Sequence, residues 1–131
     1  MTATTQSGSD WVLVDSFGWI QFFGNEPGAD RYEPYLDRLP SLLVPTVVLY
    51  EVLKKIYQGW GDTEAQKFLS RALRARVVPL DEGIAIAAVE MSLTHKLAMG
   101  DAIIYATAQQ YKAELITSDP HFQGLAGVTL L

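Results

Sequence analysis

Five short apolar runs, each of strand length, recur along the chain and are separated by longer stretches with helical periodicity. The runs are WVLV (11–14), SLLVP (41–45), RVVPL (76–80), AELIT (113–117) and GVTLL (127–131). Strands that are apolar throughout and separated by helices are typical of a parallel sheet with helices on both faces. The sequence therefore predicts an α/β fold with three layers, α/β/α, around a parallel sheet of four to five strands.

The intervening stretches have the three- and four-residue apolar spacing of amphipathic helices. They are FGWIQFFG (17–24), ADRYEPYLDRL (29–39), TVVLYEVLKKIYQG (46–59), DTEAQKFLSRALRA (62–75), DEGIAIAAVEMSLTHK (81–96) and GDAIIYATAQQYKA (100–113). Asp62 and Asp81 are each placed as an N-cap. Pro34 predicts that its helix is kinked or begins late, because proline removes a backbone donor.

The 131 residues fit one domain, which we place at residues 11–131 after a polar segment of residues 1–10 that we expect to be flexible. No apolar run approaches the roughly 18 residues of a membrane span, and the first ten residues lack the apolar centre of a signal peptide. The chain has no cysteine, which excludes thiolate chemistry and disulfides and suits a reducing compartment. We therefore expect a cytoplasmic protein.

The net charge of −5 argues against an indiscriminate nucleic-acid binder, since such binding comes mostly from Lys and Arg. Even so, five basic residues recur at adjacent positions or at helical spacing and predict a basic stripe on this acidic protein. They are Lys54, Lys55, Lys67, Arg71 and Arg74. The alternative interpretation is an ordinary solvated helix face.

Four carboxylates fall where a parallel sheet would bring them together. Asp15 follows the first strand directly, and Asp119 comes two residues after the strand ending ELIT. Glu51 lies on the second turn of the helix after SLLVP, and Asp101 opens a later helix. In open parallel sheets the functional site lies beyond the carboxyl ends of the strands, where the strand order reverses. We therefore expect all four side chains near that edge.

Each carboxylate also has an ordinary interpretation. Asp15 and Asp101 are suited to capping the helices that follow them, and Asp119 before a proline is typical of a turn. Glu51 precedes Lys55 by four residues, the spacing of a surface ion pair. The four ordinary interpretations are weaker jointly than each is alone, because carboxylates gathered at one edge repel by about 4 kcal/mol per close pair at an effective dielectric near 20. A hard divalent cation such as Mg²⁺ or Mn²⁺ would offset that repulsion and activate a water for phosphodiester hydrolysis.

The segments VDSFGWIQFF, VVLYEVLKK and GDAIIYATAQQYKAELITSDPHF, taken in order, resemble the PIN-domain ribonucleases, and most closely the VapC-like toxins of type II toxin–antitoxin systems. The resemblance extends from Trp11 to Leu131. It implies that Asp15, Glu51, Asp101 and Asp119 are catalytic residues that hold Mg²⁺ or Mn²⁺, with Ser16 and Thr117 as supporting hydroxyls. Many relatives carry a small polar residue where this chain has Phe17.

The resemblance further implies a metal-dependent endoribonuclease, a hydrolase that cleaves RNA phosphodiester bonds through a metal-activated water. It implies a cognate antitoxin, a homodimer and a cytoplasmic location. One alternative is a PIN-like module that binds RNA or protein without nuclease activity. Another is a phosphoacceptor domain of the receiver type, but Asp15 lacks the acidic neighbour and ITSDPHF the lysine that such domains need. Phosphate-binding and serine-hydrolase motifs are absent.

Overall fold

The five predicted strands form a single parallel sheet in the computed structural model, which describes residues 10–131. The strands are β1 (Val12–Val14), β2 (Leu42–Pro45), β3 (Arg76–Val78), β4 (Glu114–Thr117) and β5 (Val128–Leu130). The prediction of a flexible segment at residues 1–10 falls almost entirely on residues 1–9, which lie outside the described residues. The predicted α/β/α architecture is confirmed, since helices flank this sheet.

The strand order is β3-β2-β1-β4-β5, so the chain first adds strands on one side of β1 and then returns to the other side. Leu13 pairs with Leu43 of β2 on one side and with Leu115 of β4 on the other. The order therefore reverses between β1 and β4. This is the switch point at which α/β folds place ligands.

The six predicted helices are all present. They are α1 (Ser16–Phe23), α2 (Ala29–Leu36), α3 (Thr46–Gly59), α4 (Gly61–Ala72), α5 (Glu82–His95) and α6 (Met99–Tyr111), with short 3₁₀ turns at Leu39–Ser41 and Pro120–Phe122. α1 packs against α2 and α3, and α5 packs along α6. None of the helices in residues 10–131 has the length and apolar character needed to cross a membrane.

Three local predictions can be compared with the helix ends. Asp81 caps α5, where its Oδ1 accepts a 2.8 Å hydrogen bond from the Ile84 amide. Asp62 is not a cap, because α4 begins one residue earlier, at Gly61, and leaves Asp62 in the first turn. Of the two effects predicted for Pro34, a kink or a late start, the late start is wrong, since α2 already begins at Ala29. Its buried Tyr32 and Leu36 anchor the helix to the core and offset the missing backbone bond.

Candidate functional site

Asp15 lies at the junction of β1 and α1, buried except for 3% of its surface. Its Oδ1 accepts a 2.9 Å hydrogen bond from the Gly18 amide, so it caps α1 as the ordinary interpretation predicted. A capping carboxylate is normally exposed to solvent, whereas the Asp15 carboxylate is enclosed by protein. Burial therefore raises its pKa from 3.8 to about 6, although the Thr117 hydroxyl and the Gly18 amide lower it.

Thr117 and Asp119 continue the same edge from β4, the strand beside β1. The Thr117 hydroxyl is fully buried and donates a 2.6 Å hydrogen bond to Asp15 Oδ2. Thr117 Oγ1 also accepts a 3.0 Å hydrogen bond from the Asp119 amide. Asp119 in turn caps the 3₁₀ turn that follows it, by accepting from the His121 amide at 2.9 Å.

Glu51 reaches the edge from the second turn of α3. Its Oε1 accepts a 2.5 Å hydrogen bond from Ser16 Oγ on α1. The predicted surface ion pair with Lys55 is not among the ion pairs of residues 10–131. Glu51 Oε2 lies 2.5 Å from the point where a Cβ on Gly100 would be, so the carboxylate occupies the space of a side chain on α6.

Asp101 lies in the first turn of α6, because that helix begins at Met99 with Ala98 at its N-cap position. The alternative interpretation of Asp101 as the cap is therefore wrong. Since α6 runs antiparallel to β4, its first turn lies near the carboxyl ends of the strands. The pKa of Asp101 is raised, first by burial and then by the charges of Asp119 and Glu51.

All four predicted carboxylates line one surface cavity of about 440 Å³ at the switch point of the sheet. It is lined by Asp15, Glu51, Asp101 and Asp119, together with Ser16, Phe17, Ile20, Tyr50, Lys54, Lys55, Gln58 and Ile104. The carboxylates interact electrostatically, since the charges of Asp101 and Asp119 both raise the pKa of Asp15. The predicted convergence is therefore present as geometry, and the roles of these residues stay a prediction.

The tightest group in the cavity region contains Asp101, Asp119 and His121, whose ligand atoms lie within 4.8 Å of one another. Asp15 and Glu51 are not part of that group. His121 is exposed, and its Nδ1 lies 2.9 Å from Asp119 Oδ1.

The donor set suits a hard divalent cation. Its members are carboxylate oxygens in a half-buried cavity, and Mg²⁺ and Mn²⁺ prefer such oxygens. Within residues 10–131, none of the ion pairs joins Asp15, Glu51 or Asp101 to a lysine or arginine. No lysine or arginine of the described residues is therefore in direct contact with these three carboxylates, although Lys54 and Lys55 line the same cavity.

The predicted basic stripe divides into two parts. Lys54 and Lys55 line the cavity, on the turn of α3 after Glu51. Lys67 instead pairs with Glu64 at 3.0 Å, and Arg71 pairs with Asp37. These two residues, and Arg74 beyond the end of α4, do not line the cavity.

Sequence reasoning missed two features of the cavity. It did not single out Gly100, although a glycine directly before Asp101 is a visible sign of close packing against the backbone. It also did not place Tyr50, which is 62% exposed at the rim beside Glu51. An aromatic residue inside an amphipathic helix resembles a core residue unless the helix face is known.

Comparison with known proteins agrees with this fold. A family model described as "PIN domain" matches residues 12–128. A toxin–antitoxin complex from Klebsiella pneumoniae matches with a TM-score of 0.78 and 25% identity, over 90% of this chain and 95% of the other. No curated protein sequence gives a significant match.

Two further solved structures share the fold at lower identity. A sarcin-ricin loop cleaving VapC toxin from Mycobacterium tuberculosis has a TM-score of 0.71 and 17% identity, over 88% of this chain and 95% of the other. A VapBC complex from Rickettsia felis, bound to a DNA fragment from its promoter, has a TM-score of 0.70 and 14% identity, over 92% and 96%.

Proposed function

Because this chain belongs to the PIN-domain family, we propose that it is a metal-dependent endoribonuclease and the toxin of a toxin–antitoxin pair. The observation that carries the proposal is the cavity at the switch point of the sheet, which is lined by Asp15, Glu51, Asp101 and Asp119. Four carboxylates in one cavity favour a nuclease over a PIN-like binding module, since recognition of RNA alone gains nothing from concentrated negative charge.

The four carboxylates would hold Mg²⁺ or Mn²⁺. When bound, the cation supplies a water of lowered pKa and neutralises charge that develops on the phosphate. The chain itself supplies orientation. Thr117 fixes Asp15 from the neighbouring strand, and Ser16 fixes Glu51 from the neighbouring helix. Neither carboxylate can therefore rotate away from the cavity without losing a hydrogen bond.

Lys54 and Lys55 would attract the RNA backbone to this negative cavity. Both line it, and neither takes part in an ion pair within residues 10–131. Lysine contributes a point charge to phosphate binding, and such contacts weaken as salt rises. We assign this role to Lys54 and Lys55 rather than to Lys67 and Arg71, whose charges are paired elsewhere.

The proposed partners are a cognate antitoxin and a second copy of this chain. The antitoxin is supported by the similarity to a toxin–antitoxin complex. The homodimer is supported by a run of exposed apolar side chains on α5 and at the start of α6: Ile86, Val89, Leu93 and Met99, each at least 59% exposed. A cytoplasmic location follows from the proposed substrate, because cellular RNA is found there.

The test is cleavage of total RNA by the purified protein with Mg²⁺ or Mn²⁺ and with EDTA. Asp15→Asn and Asp101→Asn should each lower the cleavage rate by at least about 100-fold, because each removes a charged ligand. Asp62→Asn is the matched control, since it makes the same change on α4 away from the cavity. Equal rates in all four proteins, or full activity in EDTA, would remove the nuclease assignment.

A further inference from the structure

Two exposed aromatic rings stand at the rim of the acidic cavity. Phe17 at the start of α1 is 49% exposed, and Tyr50 on α3 is 62% exposed. Both line the cavity beside the carboxylates. Single exposed apolar side chains are common, but two aromatic rings at one charged cavity suit a ligand that has both a flat apolar face and a charge.

The hydrogen bond between Ser16 and Glu51 joins α1 and α3 beside the residues that carry the two rings. Phe17 directly follows Ser16, and Tyr50 directly precedes Glu51, so the 2.5 Å bond joins the two helices at the base of both rings. Both rings therefore lie at the cavity beside a predicted metal ligand, Glu51. A ligand that contacts them would also lie close to the carboxylates.

Neither ring contributes to the aromatic core. Within residues 10–131, the ring–ring contacts of α1 involve Trp19, Phe22 and Phe23, which pack with one another and with Phe68. Phe17 points away from this cluster into the cavity. Within the described residues, neither rim ring is therefore packed against another aromatic ring.

Positive charge lies beside the same rings. Lys54 Nζ is 5.7 Å from the centroid of the Tyr50 ring, and Lys55 also lines the cavity. Since neither lysine is in an ion pair within the described part of the chain, both can meet an anion. The cavity is thus lined by two aromatic rings and two lysines as well as by the four carboxylates.

We propose that Phe17 and Tyr50 stack on an unpaired RNA base next to the scissile phosphate, while Lys54 contacts the adjoining backbone phosphate. The inference rests on the proposed nuclease function and adds the residues of this chain that would hold an unpaired base beside the reacting phosphate. Every base has a face that stacks on an aromatic ring, so the contact tolerates different sequences. A base within a duplex is already stacked on its neighbours and cannot offer that face.

Binding can be measured apart from cleavage, in the Asp101→Asn background. Asp101 forms no side-chain hydrogen bond within residues 10–131, so this change disturbs the site less than one at Asp15. The probe is an end-labelled, unstructured RNA of ten nucleotides, followed by fluorescence anisotropy, with the same sequence as a duplex for comparison. Phe17→Ala and Tyr50→Ala are each added to the background.

Each ring deletion should weaken binding of the single strand by roughly 5- to 100-fold, as expected for loss of one stacked base. Binding of the duplex should not change. Tyr50→Phe keeps the ring and should bind within about twofold of the background. Tyr57→Ala is the matched control, because Tyr57 is 51% exposed on the same helix but does not line the cavity.

The inference would be overturned by ring variants that bind the single strand as tightly as the Tyr57→Ala control does. If such variants also bind a co-expressed antitoxin more weakly, the rim would be assigned to a protein partner. Either result leaves the nuclease proposal intact if cleavage by the wild-type protein depends on Mg²⁺ and on Asp101. Failure of that dependence would instead remove the proposed function itself.

Discussion

The Thr117 hydroxyl donates a 2.6 Å hydrogen bond to Asp15 Oδ2 across 102 positions of sequence. The two residues meet because Val14 pairs with Ile116 in neighbouring parallel strands, which places the next residue of each strand at the same edge. The same hydroxyl accepts a hydrogen bond from the Asp119 amide. One buried oxygen therefore positions two of the four cavity carboxylates.

Thr117→Val should lower the free energy of unfolding by about 1–3 kcal/mol at neutral pH. It keeps the shape of the side chain but leaves a buried carboxylate with one fewer donor. Urea unfolding followed by circular dichroism measures the change. Thr117→Ser retains the hydroxyl, so its free energy of unfolding should fall by less. Equal decreases in the two variants would contradict this role of the hydrogen bond.

The stability of the metal-free protein should depend on pH through Asp15. Its pKa in the folded protein is about 6, above the ordinary 3.8, so the folded state holds a proton that the unfolded chain releases. This contribution to stability is complete below pH 3.8 and is lost as pH rises through 6, by roughly 3 kcal/mol. Asp101 acts in the same direction, because its pKa is also raised.

Comparison with Asp15→Asn isolates this effect from other titrating groups. The variant carries no charge at this position, so its stability relative to the wild type should rise between pH 4 and pH 7 in EDTA. Urea unfolding of both proteins across this range gives the difference. A difference that stays constant with pH would contradict the raised pKa of Asp15.

Mg²⁺ should stabilise the wild-type protein at pH 7.5, because the ionised carboxylates bind it only in the folded state. At a concentration 100 times the Kd, the gain is about 2.7 kcal/mol. Thermal unfolding with increasing Mg²⁺ or Mn²⁺ measures it. The gain should shrink below pH 6, where Asp15 holds a proton, and should be smaller in Asp101→Asn. An unchanged Tm for the wild type would count against a metal site.

Gly100→Ala should lower cleavage while the fold is kept. The added Cβ would lie 2.5 Å from Glu51 Oε2, so the carboxylate must shift from the position in which its other oxygen accepts from Ser16. We expect a rate reduced by about tenfold or more, because a small displacement of a positioned group is costly to catalysis. Gly59→Ala is the control, since nothing lies within 4 Å of its added Cβ. Equal rates would show that Glu51 accommodates the methyl group.

Leu93→Glu should convert the proposed homodimer to a monomer. Leu93 is 77% exposed on α5, and a charge within an apolar interface would be buried without a partner. Light scattering after size-exclusion chromatography gives the mass. Thr94→Glu places the same charge at the neighbouring exposed position and serves as the control. A wild-type protein that is already monomeric would exclude the homodimer.

The sequence was sufficient to predict the strands, the helices and the edge at which the carboxylates meet. Asp15 and Asp119 follow apolar runs, and parallel strands bring such positions together by geometry alone. Glu51 required one more step, since the second turn of a helix faces back toward the preceding strand. These predictions rest on local patterns and on one rule of topology.

The details that failed or were missed depend on contacts between distant elements. Asp62 misses the cap position by two residues, because α4 follows α3 directly and begins at Gly61, so that Trp60 lies at the N-cap position. The neighbour of Gly100 is Glu51, about fifty positions away, and no local pattern records that contact. The face on which Tyr50 lies is likewise set by how α3 meets α1, which the sequence does not display.

The carboxylates of the cavity come from positions 15, 51, 101 and 119, and this spread has a consequence during synthesis. A ribosome-bound chain lacks part of this group of carboxylates until residue 119 has emerged, and β1 lacks its β4 neighbour until residues 114–117 are free to pair. A polypeptide that ends before β4 therefore cannot assemble the acidic cavity. The order of the segments thus delays assembly of the cavity until residues 114–119 have left the ribosome.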